Sequence, residues 1–314
     1  MIEMVSVEAV PAEWANDGAR ARLFSGHESF ACRYGWLVKL YHAIEDDPRL
    51  FASDENAILT LGLGKNMVRS IRFWGQSYGL VKHLHGETIN TELAHRLLDP
   101  VQGLDPYLEE IGSLWRLHWQ ITAHAGLGAW VITFQDVLDA RISRDRLVAL
   151  VEMRAASTKG AISRNTAAAH VDLFLRTYDW SRSGSVVIAE EGSGCPFQEL
   201  KLLETAHSSG DVIVTLNRGP KQDLRLSDMA FALHDFWAGT AHGSDTLSMR
   251  SLLLDKRGPG SIFRLDEASL HVLLEKLSME TAFEIESDGI GGSVLVASNS
   301  DHLHHLETAA WPKN

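Results

Sequence analysis

The sequence predicts a mostly α-helical, α+β protein whose N-terminal part follows the order of a winged helix-turn-helix. Three observations carry that expectation. Apolar residues recur at helix spacing in two early segments, a glycine-punctuated turn separates two helices, and a short hairpin pattern follows.

The elements follow in chain order. Residues 1–22 read as a loose arm, and Phe24-Ser25-Gly26-His27-Glu28-Ser29-Phe30 reads as loop. Trp36, Leu37, Leu40, Tyr41 and Ile44 then recur at helix spacing, and Asp46-Asp47-Pro48 ends that helix. Ser53 caps a second helix, with Asp54 and Glu55 in its first turn, where the helix dipole favours them. Leu61-Gly62-Leu63-Gly64 makes a tight turn. A third helix runs from about Lys65 to Tyr78, and Gly79 suits its C-terminal stop. Leu80 to Leu84 and Thr88 to Asn90 form a hairpin around a glycine turn, and Thr91 to Leu98 closes the unit.

Residues 101–217 read as a mainly helical middle, with helices over Arg144–Met153 and Ser163–Tyr178 and strand-like runs at Val186-Val187-Ile188 and Val212-Ile213-Val214. Residues 218–314 read as a second winged-helix-like unit: a helix from Leu226 to Trp237, then Met249–Leu254, Leu265–Met279, and a hairpin of Phe283–Glu286 with Val294–Val296. The expected domains are therefore 1–22, 23–100, 101–217 and 218–314.

Charge is segregated along this chain. Its 314 residues hold 41 acids against 29 Lys plus Arg, a formal charge of −12. Yet no acid falls between Glu55 and Glu87, while Lys65, Arg69, Arg72 and Lys82 do, with His83 and His85. At about 100° per residue, Lys65, Arg69, Arg72 and Gln76 share one side of the third helix. Met67, Ile71, Trp74 and Tyr78 cluster on nearly the opposite side. A helix with one buried face and a row of cations and amides on the other is what DNA recognition requires: Arg and Lys for phosphate or guanine, Asn66 or Gln76 for adenine. Lys82 and His83 would then flank the backbone of double-stranded DNA. So few phosphate contacts imply modest affinity, so tight binding needs a homodimer, another domain or a partner protein.

Other function classes fall away. An apolar content of 45% excludes a mainly disordered chain. No run approaches the ~20 apolar residues of a membrane span, and the start lacks the basic region of a signal peptide. Two cysteines, Cys32 and Cys195, build no disulfide framework, so a reduced, cytoplasmic protein is expected. The glycines before Lys65 do not form a phosphate-binding P-loop, and zinc-protease and nucleophile-elbow motifs are missing.

The remaining polar groups are open to two readings each. His27-Glu28 in its loop is a base beside a carboxylate, or a histidine bonded to backbone. His234-Asp235 is a core polar pair or a site. His302, His304 and His305 suggest a metal tract but read better as a solvated tail. His118 and His124 fit buried hydrogen bonding. Trp115, Trp119, Trp130, Trp180 and Trp237 fit packing better than base stacking. A nuclease holds divalent cations with carboxylates, but the spacing of Glu28, Asp54, Glu55, Glu87 and Asp235 selects none.

Four segments resemble a known family. Phe24–Phe30 followed by Arg33-Tyr34-Gly35-Trp36-Leu37 is similar to the opening motif of a family of uncharacterised domains found beside bacterial DNA phosphorothioation genes. Leu61–Trp74 resembles its second motif, Cys195–Leu200 a third and His234-Asp235-Phe236-Trp237 a fourth. Ser29 and Ala31-Cys32 depart from the more usual Thr and Pro-Leu. The resemblance implies a DNA-nicking subunit of a modification and defence system, cutting one strand so that sulfur can replace a phosphate oxygen. The implied partners are a cysteine desulfurase, an ATPase and a protein resembling a sulfate-activating reductase. For hydrolysis it points to His27 as general base or acid, Glu28 with Asp235 as ligands of Mg or Mn, and Arg33 as stabiliser of the phosphorane. Cys32 could relay sulfur or be a buried thiol. Two alternatives stay open: a DNA-binding subunit that leaves cutting to a partner, and a winged-helix transcriptional regulator.

Overall fold

The computed structural model describes residues 23–158, 160–181, 194–208, 210–240, 244–287 and 292–312. The arm of residues 1–22 and the run Val186-Val187-Ile188 lie outside them. The described chain is mostly helical with small antiparallel sheets, an α+β protein. No helix among the described residues is long and apolar enough to cross a membrane.

The N-terminal unit forms as its local signals dictate. Helix α1 spans Trp36–Asp46 and buries Trp36, Leu37, Leu40, Tyr41 and Ile44. Helix α2, Asp54–Leu61, is capped by the Ser53 hydroxyl, which accepts the Asn56 N–H at 3.3 Å, and ends at Gly62, whose φ of +62° favours glycine. Helix α3, Lys65–Ser77, buries Val68, Ile71 and Trp74. Strands β1, Val81–Leu84, and β2, Glu87–Asn90, pair with Leu84 opposite Glu87. Their two-residue turn puts both His85 and Gly86 at positive φ, the backbone hand that matches strand twist. Helix α4, Glu92–Leu98, follows, capped by Thr91.

The middle and C-terminal parts each carry a three-stranded sheet of the same topology. After helices α5 (Ile111–Ala123) and α6 (Gly128–Val131), strand β3 (Arg141–Ser143) leads into α7 (Arg144–Thr158) and α8 (Arg164–Tyr178). Strands β4 (Leu203–Ser208) and β5 (Asp211–Leu216) complete a sheet of order β3-β5-β4. Helix α9 (Leu226–Thr240) leads to β6 (Thr246–Ser248), α10 (Met249–Leu254), α11 (Pro259–Ile262) and α12 (Glu267–Ser278). Strands β7 (Phe283–Ser287) and β8 (Ser293–Ala297) give the order β6-β8-β7, and α13 (His302–Ala310) packs against α9. The two matching sheets share no sequence repeat, because a three-residue first strand leaves too little pattern to read.

One expectation needs correction. The histidines near the C-terminus do not lie in a solvated tail: His302 is buried at 4.7 Å from the Trp237 ring, and only His304 and His305 face solvent. Leu306, Ala310 and Trp311 supply the apolar stripe that docks their helix, and Trp311 covers the buried Arg116 guanidinium at 4.6 Å. Segment 132–136 widens into a π-helical turn after α6.

One apolar cluster runs from Phe24 to Ala310. Within it His118 has each ring nitrogen in use: one faces the Tyr178 hydroxyl at 2.8 Å, the other the Ile262 carbonyl at 3.0 Å. Trp115, Trp119, Trp130 and Trp237 are buried, in line with packing, whereas Trp180 is exposed. The entry segment is fastened by Leu23, which exchanges backbone bonds with Gly126 and Gly128, and by Phe24, which lies on Gly128. A Cβ at Gly128 would come within 2.3 Å of that ring. Gly128→Ala is therefore expected to cost about 1–3 kcal/mol by overpacking, read as a lower urea midpoint with an unchanged m-value.

Candidate nucleic-acid interface

The third helix presents its cations unevenly. The side chains of Lys65 and Arg69 are about half exposed, at 55% and 50%, and Asn66 is exposed beside them. Arg72 is drawn down over the Phe51 ring at 5.1 Å, and Gln76 is half-buried. The reason is that the buried face of α3 is wider than its apolar stripe, taking in Val68 and Gly75 beside Arg72 and Ser70 and Ser77 on the far flank. On the hairpin His83 and His85 are exposed and Lys82 is half-buried.

The acid-free window in sequence is not acid-free in space. Asp54 Oδ2 lies 3.1 Å from Lys65 Nζ and 4.0 Å from Arg69, while Glu28 Oε1 lies 4.0 Å from Arg69. Asp54 arrives because the tight 62–64 turn folds α2 back along α3. These pairs are solvent-exposed, so each stabilises by about 0–1 kcal/mol and can exchange for a phosphate.

Glu28 arrives on a strained loop. Gly26, Glu28 and Ser29 all have positive φ, at 106°, 49° and 61°. Two non-glycine residues held there consecutively cost energy that the surroundings must offset. They do so through His27, which turns inward. Its Nδ1 takes the Ser29 N–H at 3.1 Å, and its Nε2 lies 3.3 Å from Nδ1 of His170 on α8. His170 Nε2 in turn accepts the Ala129 N–H at 3.2 Å. Sequence reasoning missed His170, which is 143 residues away and sits in an unremarkable helical pattern. Burial, then the charge of Arg176, lowers His27 to about 4. Burial and His27 lower His170 to about 3. Both rings are neutral near pH 7, and His27 is only 5% exposed. Arg33 lies over Phe30 and Trp36, at 6.0 and 5.6 Å from their ring centres.

Asp235 is elsewhere in the fold and has its own partners. Its Oδ2 accepts the Trp119 indole N–H at 2.9 Å and pairs with His124 Nε2 at 2.8 Å. Burial raises this carboxyl, but His124 and Trp119 outweigh that and hold it below the usual range. Glu28 and Asp235 have no partner in common. Among the described residues no group of three or more His, Cys, Asp or Glu is arranged to hold a metal ion. Both cysteines are buried, and burial raises Cys32 well above its usual value and Cys195 to about 12. Sulfur chemistry needs a thiolate, so neither thiol is poised to relay it.

The buried histidines set an acid limit on the fold. His27, His118 and His170 bind a proton near pH 6.5 when unfolded but only near 3–4 when folded. The unfolded chain therefore takes up protons first, and stability present above pH 6.5 is lost as pH falls toward 4. The expected slope is about 1.4 kcal/mol per pH unit for each histidine, and His118→Gln should reduce the proton uptake by about one, measured by calorimetric unfolding between neutral and acid pH.

No curated protein matches the sequence. Two solved structures do resemble the fold. One, described as a magnesium ion-bound SspB crystal structure, is 27% identical, with 91% of this chain and 87% of that chain covered at a TM-score of 0.81. The other, an SspB crystal structure, is 27% identical over 93% of this chain and 89% of that one, also at 0.81. A family model described as a protein of unknown function, DUF4007, matches residues 24–309, and the chain belongs to that family.

Proposed function

We propose that the chain is the DNA-acting subunit of a bacterial DNA phosphorothioate modification and defence system, which grips duplex DNA with a winged helix-turn-helix and nicks one strand for sulfur insertion. The likeness to SspB over 91% of the chain is the observation that carries this reading. It is supported by the cationic face of α3, the adjoining hairpin, and a carboxylate held against that face by a strained loop.

The chain's own groups would divide the work. Lys65 and Arg69 exchange Asp54 and Glu28 for phosphate oxygens. Asn66, at the N-terminal end of α3, reaches base edges, with Arg72 and Gln76 farther along and Lys82 and His83 beside the flanking backbone. Glu28, released from Arg69, becomes the carboxylate nearest the strand to be cut, and Arg33 contributes a guanidinium to the charge of the reacting phosphate. His27, buried and neutral, acts by fixing the loop that aims Glu28 rather than by exchanging protons. Of the residues expected to hold a metal, Glu28 stands on the cationic face, whereas Asp235 is engaged by Trp119 and His124. Magnesium takes one or two carboxylates and completes its shell with water and substrate phosphates, and Asp54 is the other carboxylate on this face. Bound there, Mg or Mn would supply charge stabilisation to the phosphate.

A second reading is favoured by the burial of His27 and the lack of a three-ligand group among the described residues. In it the chain selects the DNA site and a partner cuts. Purified chain with supercoiled plasmid and Mg or Mn separates the two. Relaxed circles that need the cation and vanish in Glu28→Gln, with DNA binding retained, support nicking. No relaxation above a metal-free control leaves only the binding role. For binding, Arg69→Ala should weaken duplex affinity and lower the salt slope by about one, whereas Asp54→Asn should raise affinity by removing the competing carboxylate. Fluorescence anisotropy across a salt series checks both, and parental affinity and slope in Arg69→Ala would refute the α3 assignment.

A further inference from the structure

A second concentration of positive charge involves none of the residues above. Arg218 donates to the Leu265 carbonyl at 3.0 Å, and the Gly219 N–H donates to the Arg264 carbonyl at 2.9 Å, so the 217–221 loop lies directly against residues 264–266. Arg264 is 1% exposed. Its guanidinium donates to the Val137 carbonyl at 2.9 Å and faces that of Asp139 at 3.4 Å, while its Nε has no partner. Lys221, half-buried, donates to the Asn217 carbonyl at 2.8 Å.

Each of these cations is bonded to backbone carbonyls, which are dipoles and not counter-charges. Of the three charges acting on Lys221, those of Arg264 and Arg218 are positive and only that of Asp266 is negative. Asp266 faces both Lys221 and Arg218 and also caps a helix, accepting the Ser269 N–H at 2.8 Å, so three cations share one carboxylate. Burying cations in excess of their counter-charge is costly, and here the cost is visible. Burial first, then the neighbouring guanidinium groups, pulls the Lys221 amine down to about 8. Burial and Arg218 lower Arg264 to about 10.

An anion with several acceptor oxygens supplies what this cluster lacks, since guanidinium forks and an ammonium are the usual partners of phosphate. We propose that Arg218 and Lys221, backed by Arg264, form a binding site for a phosphate-bearing anion. The same chemistry is offered by a DNA phosphodiester and by a free phosphate compound. A bound anion favours the ammonium form of Lys221, so affinity should fall once pH rises above about 8.

The test uses the full chain and inorganic pyrophosphate at low ionic strength. Calorimetry should show one saturable site, weakened by about tenfold or more in Lys221→Met and in Arg218→Gln and unchanged in Arg69→Ala. Amine acylation of the parent chain, read residue by residue by mass spectrometry, should be slowed severalfold at Lys221 by saturating pyrophosphate. That readout does not depend on any variant folding. A short duplex that protects Lys221 in the same way assigns the site to the DNA backbone; protection by pyrophosphate alone assigns it to a free phosphate compound. No saturable binding, or binding undiminished in both variants with Lys221 unprotected, overturns the proposal. The pyrophosphate arm contains no DNA, so its failure is separate from a failure of the α3 reading.

Discussion

The Trp74 indole N–H donates to the Phe30 carbonyl at 2.9 Å, and much of the molecule is arranged around that bond. Trp74 is fully buried on α3, stacked on Tyr78 at 5.6 Å and beside Trp130 at 6.0 Å. Phe30 ends the strained loop. A single side chain therefore fixes the cationic helix, the loop that carries Glu28 and the aromatic core of the middle segment relative to one another. An unsatisfied indole in that position would cost roughly 1–3 kcal/mol, so the loop cannot lift away cheaply. His27 fastens the other end of the same loop, its Nδ1 accepting the Ser29 N–H at 3.1 Å and its ring stacked on His170 with centroids 5.4 Å apart.

Burial sorts the charged groups into two populations with different consequences. Lys65, Arg69, Asp54 and Glu28 are wet, paired loosely and free to exchange partners, so their geometry is a resting arrangement. Arg116 with Asp228, and Arg264 with its carbonyls, are dry and locked, since breaking them would leave a charge in apolar surroundings. The first population can trade its partners for others, and the second holds architecture. Lys221 lies between them, half-buried and sharing the single carboxylate of Asp266 with Arg218.

Much of the N-terminal unit was legible because its signals are local. Ser53 and Thr91 cap helices, Gly62 takes a left-handed turn, and His85-Gly86 closes a two-residue hairpin, all from interactions within a few residues. The cationic row on α3 was legible for the same reason, since 3.6-residue periodicity places those side chains without reference to the rest of the chain. Its neutralising acids were not. Asp54 and Glu28 reach Arg69 through a turn angle and a strained loop, and an acid-free window counted along the sequence cannot register either.

The sequence by itself determined the N-terminal helices, the Ser53 cap, the hairpin and the exposure of Lys65 and Arg69 on α3, because backbone geometry and apolar spacing act over four residues or fewer. Tertiary packing alone decided the chemistry of the individual groups. It made His27 a neutral, buried fastening by setting His170 against it from 143 residues away, and it gave Asp235 to Trp119 and His124 instead of to Glu28. Ionisation and partnership depend on desolvation and on which distant segments meet, and neither quantity exists until the chain has folded.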